Sequence, residues 1–255
     1  MKFLQTACAT VVALTTVTSA FAAINGVRIS PREFNDIPLA MGSSSFGVGS
    51  PAWVGFTELN VSAPTGFANR DVWRFSADGG ASAYQIPNQY FNASFDLTLT
   101  GTPISPRKEA GFLLQSANVG DIQFLVNTDG HEVVQFGGSS FYAFPSTFDS
   151  GETIHLGLSY TIDPVTHANA LRLEANGVFS PYLDFGPGHG NGSTDLGNFT
   201  LGGYFQIVND PNNPNNSGSA LFNNIQITLV PEPSTLALAG VGAFAAFLLR
   251  RRNQK

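Results

Sequence analysis

The ionisable side chains of this chain follow none of the spacings by which catalytic groups are commonly recognised. Neither a Gly-x-Ser-x-Gly elbow nor a His-Glu-x-x-His zinc motif occurs. Glu132, Glu152 and Glu174 are predicted to be exposed carboxylates of strands or turns. Turn residues or alternating strand patterns surround the four histidines, His131, His155, His167 and His189. Any acid–base site would therefore have to be assembled by folding from carboxylates on separate strands.

A loop rich in oxygen ligands is the one candidate metal site in the sequence. The segment Asn209–Asn216 is dominated by Asn, Asp and Pro, and Asp210 is its single charge. Ca²⁺ prefers carboxylate, amide and carbonyl oxygens, so Asp210, Asn212 and Asn213 are the candidate ligands. The glycine-rich segment Gly186–Gly192 is expected to lie beside this loop as a flexible rim.

Aromatic side chains offer a second kind of site, because rings can stack on the faces of sugars. Large rings also fill the cores of β-sandwiches, and we assign Trp73 to the core for that reason. Tyr142 and Tyr182 lie near predicted turns and are the candidates for exposed, ligand-binding rings.

The charge of the chain argues against a nucleic-acid partner. The formal net charge is −6, and residues 23–229 alone hold seventeen acidic side chains against seven Lys and Arg. Because of this negative charge, residues 23–229 are expected to be repelled by polyanions such as nucleic acids.

The last 26 residues have the order of a sorting signal. Val230-Pro231-Glu232-Pro233 precedes an apolar run from Leu236 to Leu249, which Arg250, Arg251 and Arg252 follow. The run of fourteen residues would extend ~21 Å as a helix, short of a ~30 Å hydrocarbon core. The terminal arginines nevertheless favour a stop-transfer segment with its basic end in the cytoplasm.

In this order the tail resembles the PEP-CTERM sorting signal of Gram-negative bacteria. The resemblance implies export, transient anchoring in the inner membrane and cleavage near the Pro-Glu-Pro box by an exosortase-type enzyme. The mature protein would then reach the cell surface or the extracellular matrix.

The beginning of the chain also indicates export. Lys2 and the apolar or small residues 3–18 are typical of a signal peptide, and Ala20-Phe21-Ala22 fits a small-x-small cleavage site. We expect residues 1–22 to be removed by cleavage between Ala22 and Ala23. The only cysteine, Cys8, would leave with them, so the mature protein would contain no disulfide.

Residues 23–229 are predicted to form one all-β domain. Short runs with a period of two, such as Phe91–Thr100 and Thr153–Ile162, alternate with clusters of Gly, Pro, Asn and Asp. Asp129-Gly130 predicts a two-residue hairpin turn. About a dozen such runs indicate two packed antiparallel sheets.

The pattern of these runs resembles the concanavalin A-like lectin/glucanase jelly roll, which includes the laminin-G-like domains. The passages that carry the resemblance are Trp73-Arg74-Phe75-Ser76, Phe91–Leu99, Leu156–Ile162 with Ala170–Ala175, and Phe222–Ile227. Glucanases of this fold carry their carboxylates on one strand as Glu-x-Asp-x-x-Glu, and this arrangement is absent here.

The sequence is compatible with three functions. The missing carboxylate motif favours a non-enzymatic exported protein that contacts glycans of an exopolysaccharide matrix or biofilm. The alternatives are a polysaccharide-active glycoside hydrolase on the same fold and a structural matrix protein without a ligand. A pair of facing carboxylates in a cleft would distinguish the hydrolase from the other two.

Overall fold

The structure is a computed structural model that describes residues 24–35, 42–47, 53–59, 61, 67–185 and 193–230. The predicted signal peptide with its Ala22–Ala23 cleavage site, the segment Gly186–Gly192 and the tail from Pro231 onward lie outside these residues. The described residues belong to one compact unit. They contain sixteen strands: β1 (Gly26–Asn35), β2 (Gly42–Gly47), β3 (Trp53–Glu58), β4 (Ala68–Ser76), β5 (Ile86–Pro87), β6 (Phe91–Thr102), β7 (Lys108–Ser116), β8 (Gly120–Asn127), β9 (Val133–Phe136), β10 (Tyr142–Ala143), β11 (Thr153–Ile162), β12 (Asn169–Ala175), β13 (Val178–Phe179), β14 (Leu183–Asp184), β15 (Asn198–Val208) and β16 (Ser217–Leu229).

The strands form two sheets, and the strand pairs within each sheet are antiparallel. Sheet A has the order β1-β4-β15-β7-β8-β9-β10, with β5 paired to β15. Sheet B has the order β13-β12-β11-β6-β16-β3-β2, with β14 paired to β12. The predicted all-β, two-sheet jelly-roll sandwich is therefore confirmed. The described part of the chain contains no helix that is long and apolar enough to span a membrane.

The core between the sheets is built from aromatic rings. Trp73 on β4 makes edge contacts with Phe75, Phe95 and Phe222, at centroid distances of 5.3, 6.0 and 5.7 Å. The ring centroids of Phe95 in sheet B and Phe112 in sheet A lie 4.2 Å apart, so these rings pack the two sheets together. Trp73 is fully buried, as the sequence predicted.

The opposite face of sheet A, here called the outer face, also carries buried apolar side chains. Neighbouring residues of a strand point to opposite faces, so the residues that alternate with the core rings point outward. Five of these outward residues form a second buried cluster: Val72, Leu113, Leu125, Val134 and Tyr204. Polar side chains on the same face flank this cluster on both sides, and they line the clefts described below.

The connection between β8 and β9 differs from the predicted two-residue turn. It contains the five residues 128–132, because the side chain of Asn127 organises a wider loop. The Asn127 Oδ1 atom accepts the backbone N–H of Gly130 at 2.9 Å, and Asn127 Nδ2 donates to Glu132 Oε2 at 2.7 Å. His131 takes a positive φ of 54° within this loop. The wider loop places Glu132 at the outer face of sheet A.

Candidate functional site

Glu109 is the most densely hydrogen-bonded carboxylate of the outer face. Its side chain points outward from β7, while the preceding Lys108 points inward, and it is only 5% exposed. Its Oε1 atom accepts hydrogen bonds from the Tyr204 hydroxyl and from Gln206 Nε2, both at 3.1 Å. Its Oε2 atom accepts Arg107 Nε at 2.7 Å. These three donors fix the position of the carboxylate.

A second layer of contacts holds these donors in place. Arg70 Nε donates to Gln206 Oε1 at 2.8 Å, which leaves the amide nitrogen of Gln206 turned toward Glu109. The Arg70 guanidinium also lies 4.9 Å from the centroid of the Tyr204 ring. Burial, followed by the charge of Glu109, raises the pKa of Tyr204 well above its usual value, so this hydroxyl stays protonated and donates.

Glu132 approaches the same guanidinium from the β8–β9 loop. Its Oε2 atom lies 4.0 Å from Arg107 Nη2, and half of its side chain is exposed. Arg107 therefore lies between the buried carboxylate of β7 and a solvent-accessible carboxylate of the β8–β9 loop. From the sequence, Glu132 was predicted to be an exposed carboxylate of a strand or turn, and no motif pointed to Glu109.

These residues line an open depression of about 420 Å³, which we call the carboxylate cleft. Its floor includes Val134, Phe136 and Gln206. Phe67 and Phe141, which are 58% and 66% exposed, complete the lining with apolar rings. Two carboxylates in a cleft with accessible rings are the groups required for hydrolysis of a glycosidic bond.

A second depression on the same face has a volume of about 620 Å³, and we call it the arginine cleft. Arg28 on β1 and Arg74 on β4 are direct cross-strand neighbours in it. Arg74 Nε donates to Gln115 Oε1 at 3.1 Å, and Arg28 donates to the carbonyl of Ala81. The described lining contains no histidine, lysine, tyrosine or carboxylate that could act as a base.

The two tyrosines singled out from the sequence lie in different places. Tyr142 on β10 is half-buried against the core, and its ring makes an edge contact with Phe144 at 4.9 Å. Tyr182 packs beside sheet B, where the Arg172 guanidinium lies 5.1 Å from its ring centroid. Their shared role in ligand binding stays a prediction.

Asp210 organises its own turn. Its Oδ1 atom accepts the N–H of Asn212 at 3.1 Å, and its carbonyl accepts the N–H of Asn213 at 3.1 Å. Its charge also acts on the ammonium of Lys108. No cluster of three or more His, Cys, Asp or Glu suited to a metal occurs among the described residues. A calcium site at Asp210, Asn212 and Asn213 stays a prediction, and calorimetric titration of Ca²⁺ with Asp210→Ala as control is its test.

Two of the histidines each pair with an aspartate. His131 Nδ1 lies 2.7 Å from Asp149 Oδ1, and His155 Nδ1 lies 2.7 Å from Asp96 Oδ1. Asp96 also accepts a hydrogen bond from Asn224 Nδ2 at 2.5 Å on the outer face of sheet B. Neither pair lines the carboxylate cleft.

Comparison with known proteins identifies the tail. Residues 229–252 match the PEP-CTERM protein-sorting motif, so the predicted sorting signal is confirmed. The motif indicates an exported protein with a transiently membrane-anchored C-terminus, processed by an exosortase. The chain matches no curated protein sequence.

Similar solved structures include two alginate lyases and an endo-1,3-beta-glucanase. An alginate lyase from Corynebacterium sp. is 16% identical, with a TM-score of 0.49 over 69% of this chain and 77% of its own. An endo-1,3-beta-glucanase from Streptomyces sioyaensis is 14% identical, with a TM-score of 0.47 over 70% and 76%. An alginate lyase from Klebsiella pneumoniae is 13% identical, with a TM-score of 0.46 over 71% and 82%. These likenesses contradict the prediction that the protein is not an enzyme.

Proposed function

We propose that the protein is an exported enzyme that hydrolyses a polysaccharide in the carboxylate cleft. The observation that carries this proposal is the convergence of Glu109 of β7 and Glu132 of the β8–β9 loop on Arg107 in an accessible cleft. A pair of facing carboxylates in a cleft was the feature that separates a hydrolase from a protein that only contacts glycans.

The surroundings of the two carboxylates assign them different roles. Glu109 is held by three hydrogen bonds and is only 5% exposed, so in this proposal it stabilises the positive charge that develops on the sugar. Glu132 is half exposed, so in this proposal it is the general acid that protonates the leaving oxygen. Phe67 and Phe141 offer apolar faces to the neighbouring sugar units.

The sorting motif supplies the cellular setting of this activity. In the proposed sequence of events, the signal peptide is removed after Ala22 and Arg250–Arg252 hold the tail at the inner membrane of a Gram-negative cell. An exosortase-type enzyme then cuts near Val230-Pro231-Glu232-Pro233. The body is placed at the cell surface or in the extracellular matrix, where its substrate is an exopolysaccharide of that matrix, for example in a biofilm.

Replacement of Glu132 tests the proposed chemistry. Glu132→Gln keeps the shape of the side chain but removes the proton donor, so we expect the cleavage rate to fall by about 10²–10⁴-fold. The measurement is the release of reducing ends from a panel of neutral and acidic polysaccharides. ¹⁸O from labelled water should appear in the products of hydrolysis.

Glu174→Gln on sheet B is the matched control, because it removes the same charge outside the cleft. We expect this variant to keep the rate of the parent protein. Cleavage by Glu132→Gln at the parental rate, or no cleavage of any polysaccharide by the parent, would refute the proposal.

A further inference from the structure

An arginine near the edge of sheet B lies between two aromatic rings. The Cζ atom of Arg172 lies 4.5 Å from the ring centroid of Phe179 and 5.1 Å from that of Tyr182. Arg172 belongs to β12 and Phe179 to β13, and Tyr182 directly precedes β14. Such cation–π contacts hold the planar guanidinium group in a fixed orientation. We call these three residues the arginine sandwich.

The guanidinium group of Arg172 uses few of its hydrogen-bond donors. A guanidinium carries five N–H donors. Within the part of the chain that the structure describes, the side chain makes a single hydrogen bond, from Nη1 to the Tyr182 hydroxyl at 3.5 Å, and its buried Nε has no partner. The residue as a whole is partly exposed. The Nη groups therefore have donors left for a ligand.

The positive charge of Arg172 has no acidic partner either. Among the described residues, Arg172 forms no ion pair. The acidic residue that follows on the same face of β12 is Glu174, and its side chain turns toward Gly157 of β11. A Cβ added to Gly157 would lie only 3.1 Å from Glu174 Oε2. A bound oxyanion would supply the missing counter-charge, because a guanidinium donates two parallel hydrogen bonds to a carboxylate or a sulfate.

Apolar surface is exposed directly beside this cation. Phe179 and its neighbour Val178 are each 50% exposed, and their strand β13 is the last strand of sheet B on this side. Neighbouring exposed apolar side chains mark ligand-binding or interaction surfaces. Arg172 contacts the Phe179 ring, but half of this residue still faces solvent. The ring can therefore pack against the apolar C–H face of a sugar unit whose charged group reaches Arg172.

A row of polar side chains continues from the arginine sandwich across sheet B. Arg172 lies opposite Ser159 of β11, and Ser159 lies opposite Asn92 of β6. Asn92 in turn lies opposite Thr228 of β16, and both of these residues are exposed. At ~4.8 Å per strand, the row extends ~14 Å from Arg172. Its hydroxyl and amide groups both donate and accept hydrogen bonds, as the hydroxyl groups of sugars do.

We propose that the arginine sandwich and this polar row form a second, non-catalytic site that binds an acidic glycan. Phe179 stacks on a sugar unit, Arg172 binds the oxyanion of that unit, and Ser159 and Asn92 bind hydroxyl groups of the units that follow. Uronate carboxylates and sulfate esters share the required chemistry. The site lies on the sheet opposite the carboxylate cleft, so it would hold the protein on a polysaccharide whether or not that polysaccharide is cleaved.

Calorimetric titration of the Glu132→Gln protein tests this site without interference from the proposed cleavage. The ligands are oligosaccharides of equal length that carry uronate groups, sulfate esters or no charge. We expect an acidic oligosaccharide to bind at least ~10-fold more tightly than the neutral one, as one charge-assisted contact would provide. The two acidic ligands distinguish a carboxylate from a sulfate.

Arg172→Gln in the same background is the decisive variant. It should lower the affinity for the acidic ligand by ~10-fold or more, and Arg172→Lys should keep part of that affinity. Phe179→Leu keeps an apolar side chain without the ring and should weaken binding by roughly 2–10-fold. Arg28→Gln is the matched control, because it removes the same charge from an exposed residue of sheet A and should leave the affinity unchanged. Urea unfolding checks that each variant is folded.

Equal affinities of the parent and a folded Arg172→Gln protein for the acidic ligand would overturn this site, as would equal binding of acidic and neutral ligands. A dimer of the parent that Arg172→Gln dissociates, without any glycan binding, would instead identify a second copy of the chain as the occupant. Binding that depends on Arg172, in a parent that cleaves no polysaccharide, would refute the hydrolase and support the second site.

Discussion

A single buried lysine shows how folding changes the chemistry of one residue. The side chain of Lys108 is fully buried, and its Nζ donates to the carbonyl oxygens of Pro103 and Pro106 at 2.6 and 2.7 Å. Burial lowers its pKa from 10.5 to about 8, against the attraction of Asp210 and Asp129. The fold therefore disfavours the charged form of this side chain.

The sign of this shift gives a pH-dependent prediction. Between pH 8 and 10.5 the unfolded chain binds more protons at Lys108 than the folded protein, so the free energy of unfolding should rise with pH in that window. Across this window the free energy of unfolding should rise by on the order of 1–3 kcal/mol. Below pH 8 Lys108 binds its proton in both states, so no rise from this residue is expected there. Denaturant unfolding at pH 7, 8, 9 and 10 measures it.

Lys108→Met is the control for this titration, because methionine is a long side chain without a proton to lose. Subtracting its curve removes the contribution of every other titrating group. If the free energy of unfolding changes with pH in the same way in the parent and the variant, Lys108 does not lose its proton in this range.

At the scale of elements, β11 shows how the period of two assigns side chains to faces. Leu158 is buried between Ala93 of β6 and Leu173 of β12. The next residue, Ser159, lies beside Asn92 and Arg172 on the partly exposed face. The side chains of consecutive residues of this strand thus alternate between the core and the surface.

An aspartate at these positions should have opposite consequences. Leu158→Asp buries an unpaired carboxylate and should lower the free energy of unfolding by more than ~4 kcal/mol, and Leu156→Asp should behave in the same way. Ser159→Asp places the same charge near Arg172 and should change stability by less than ~0.5 kcal/mol. The midpoints of urea unfolding provide the comparison. Our assignment of the faces of β11 fails if Leu158→Asp unfolds at the parental midpoint.

At the scale of the whole molecule, the last strand reaches the start of the sorting motif. The N–H of Val230 donates to the carbonyl of Tyr90 at 2.8 Å, directly after the last strand. Gln89 Nε2 donates to the carbonyl of Val230 at 3.4 Å. A cut before Val230 would remove these two hydrogen bonds, and a cut further upstream would also remove paired residues of β16, so processing that preserves both is expected after Val230.

Intact-mass measurement of the exported protein tests this expectation. We expect a chain that begins at Ala23 and ends close to Pro231-Glu232-Pro233, without the residues up to Lys255. Glu232→Ala should leave the tail attached if the box is the recognition element. A mature protein that keeps Lys255 would contradict cleavage at the motif.

The sequence alone determined the features that are written in consecutive residues. The sorting motif is a linear order of box, apolar run and arginines, and the all-β class follows from alternation along single strands. Each of these patterns is local, so no knowledge of distant contacts was needed. The assignment of Trp73 to the core followed from the need of a β-sandwich core for large rings, and the structure confirms it.

Only the tertiary structure decided where the candidate site lies. Glu109 and Glu132 meet at Arg107 because β7, β8 and the wider β8–β9 loop lie side by side, and the Asn127 side chain overrode the local Asp129-Gly130 turn signal. Arg28 and Arg74 are 46 positions apart in the chain and become neighbours through strand pairing. Strand order and register depend on packing between segments that are remote in the chain. A periodic pattern therefore predicts which face of a sheet a residue occupies, but not which residues it contacts there.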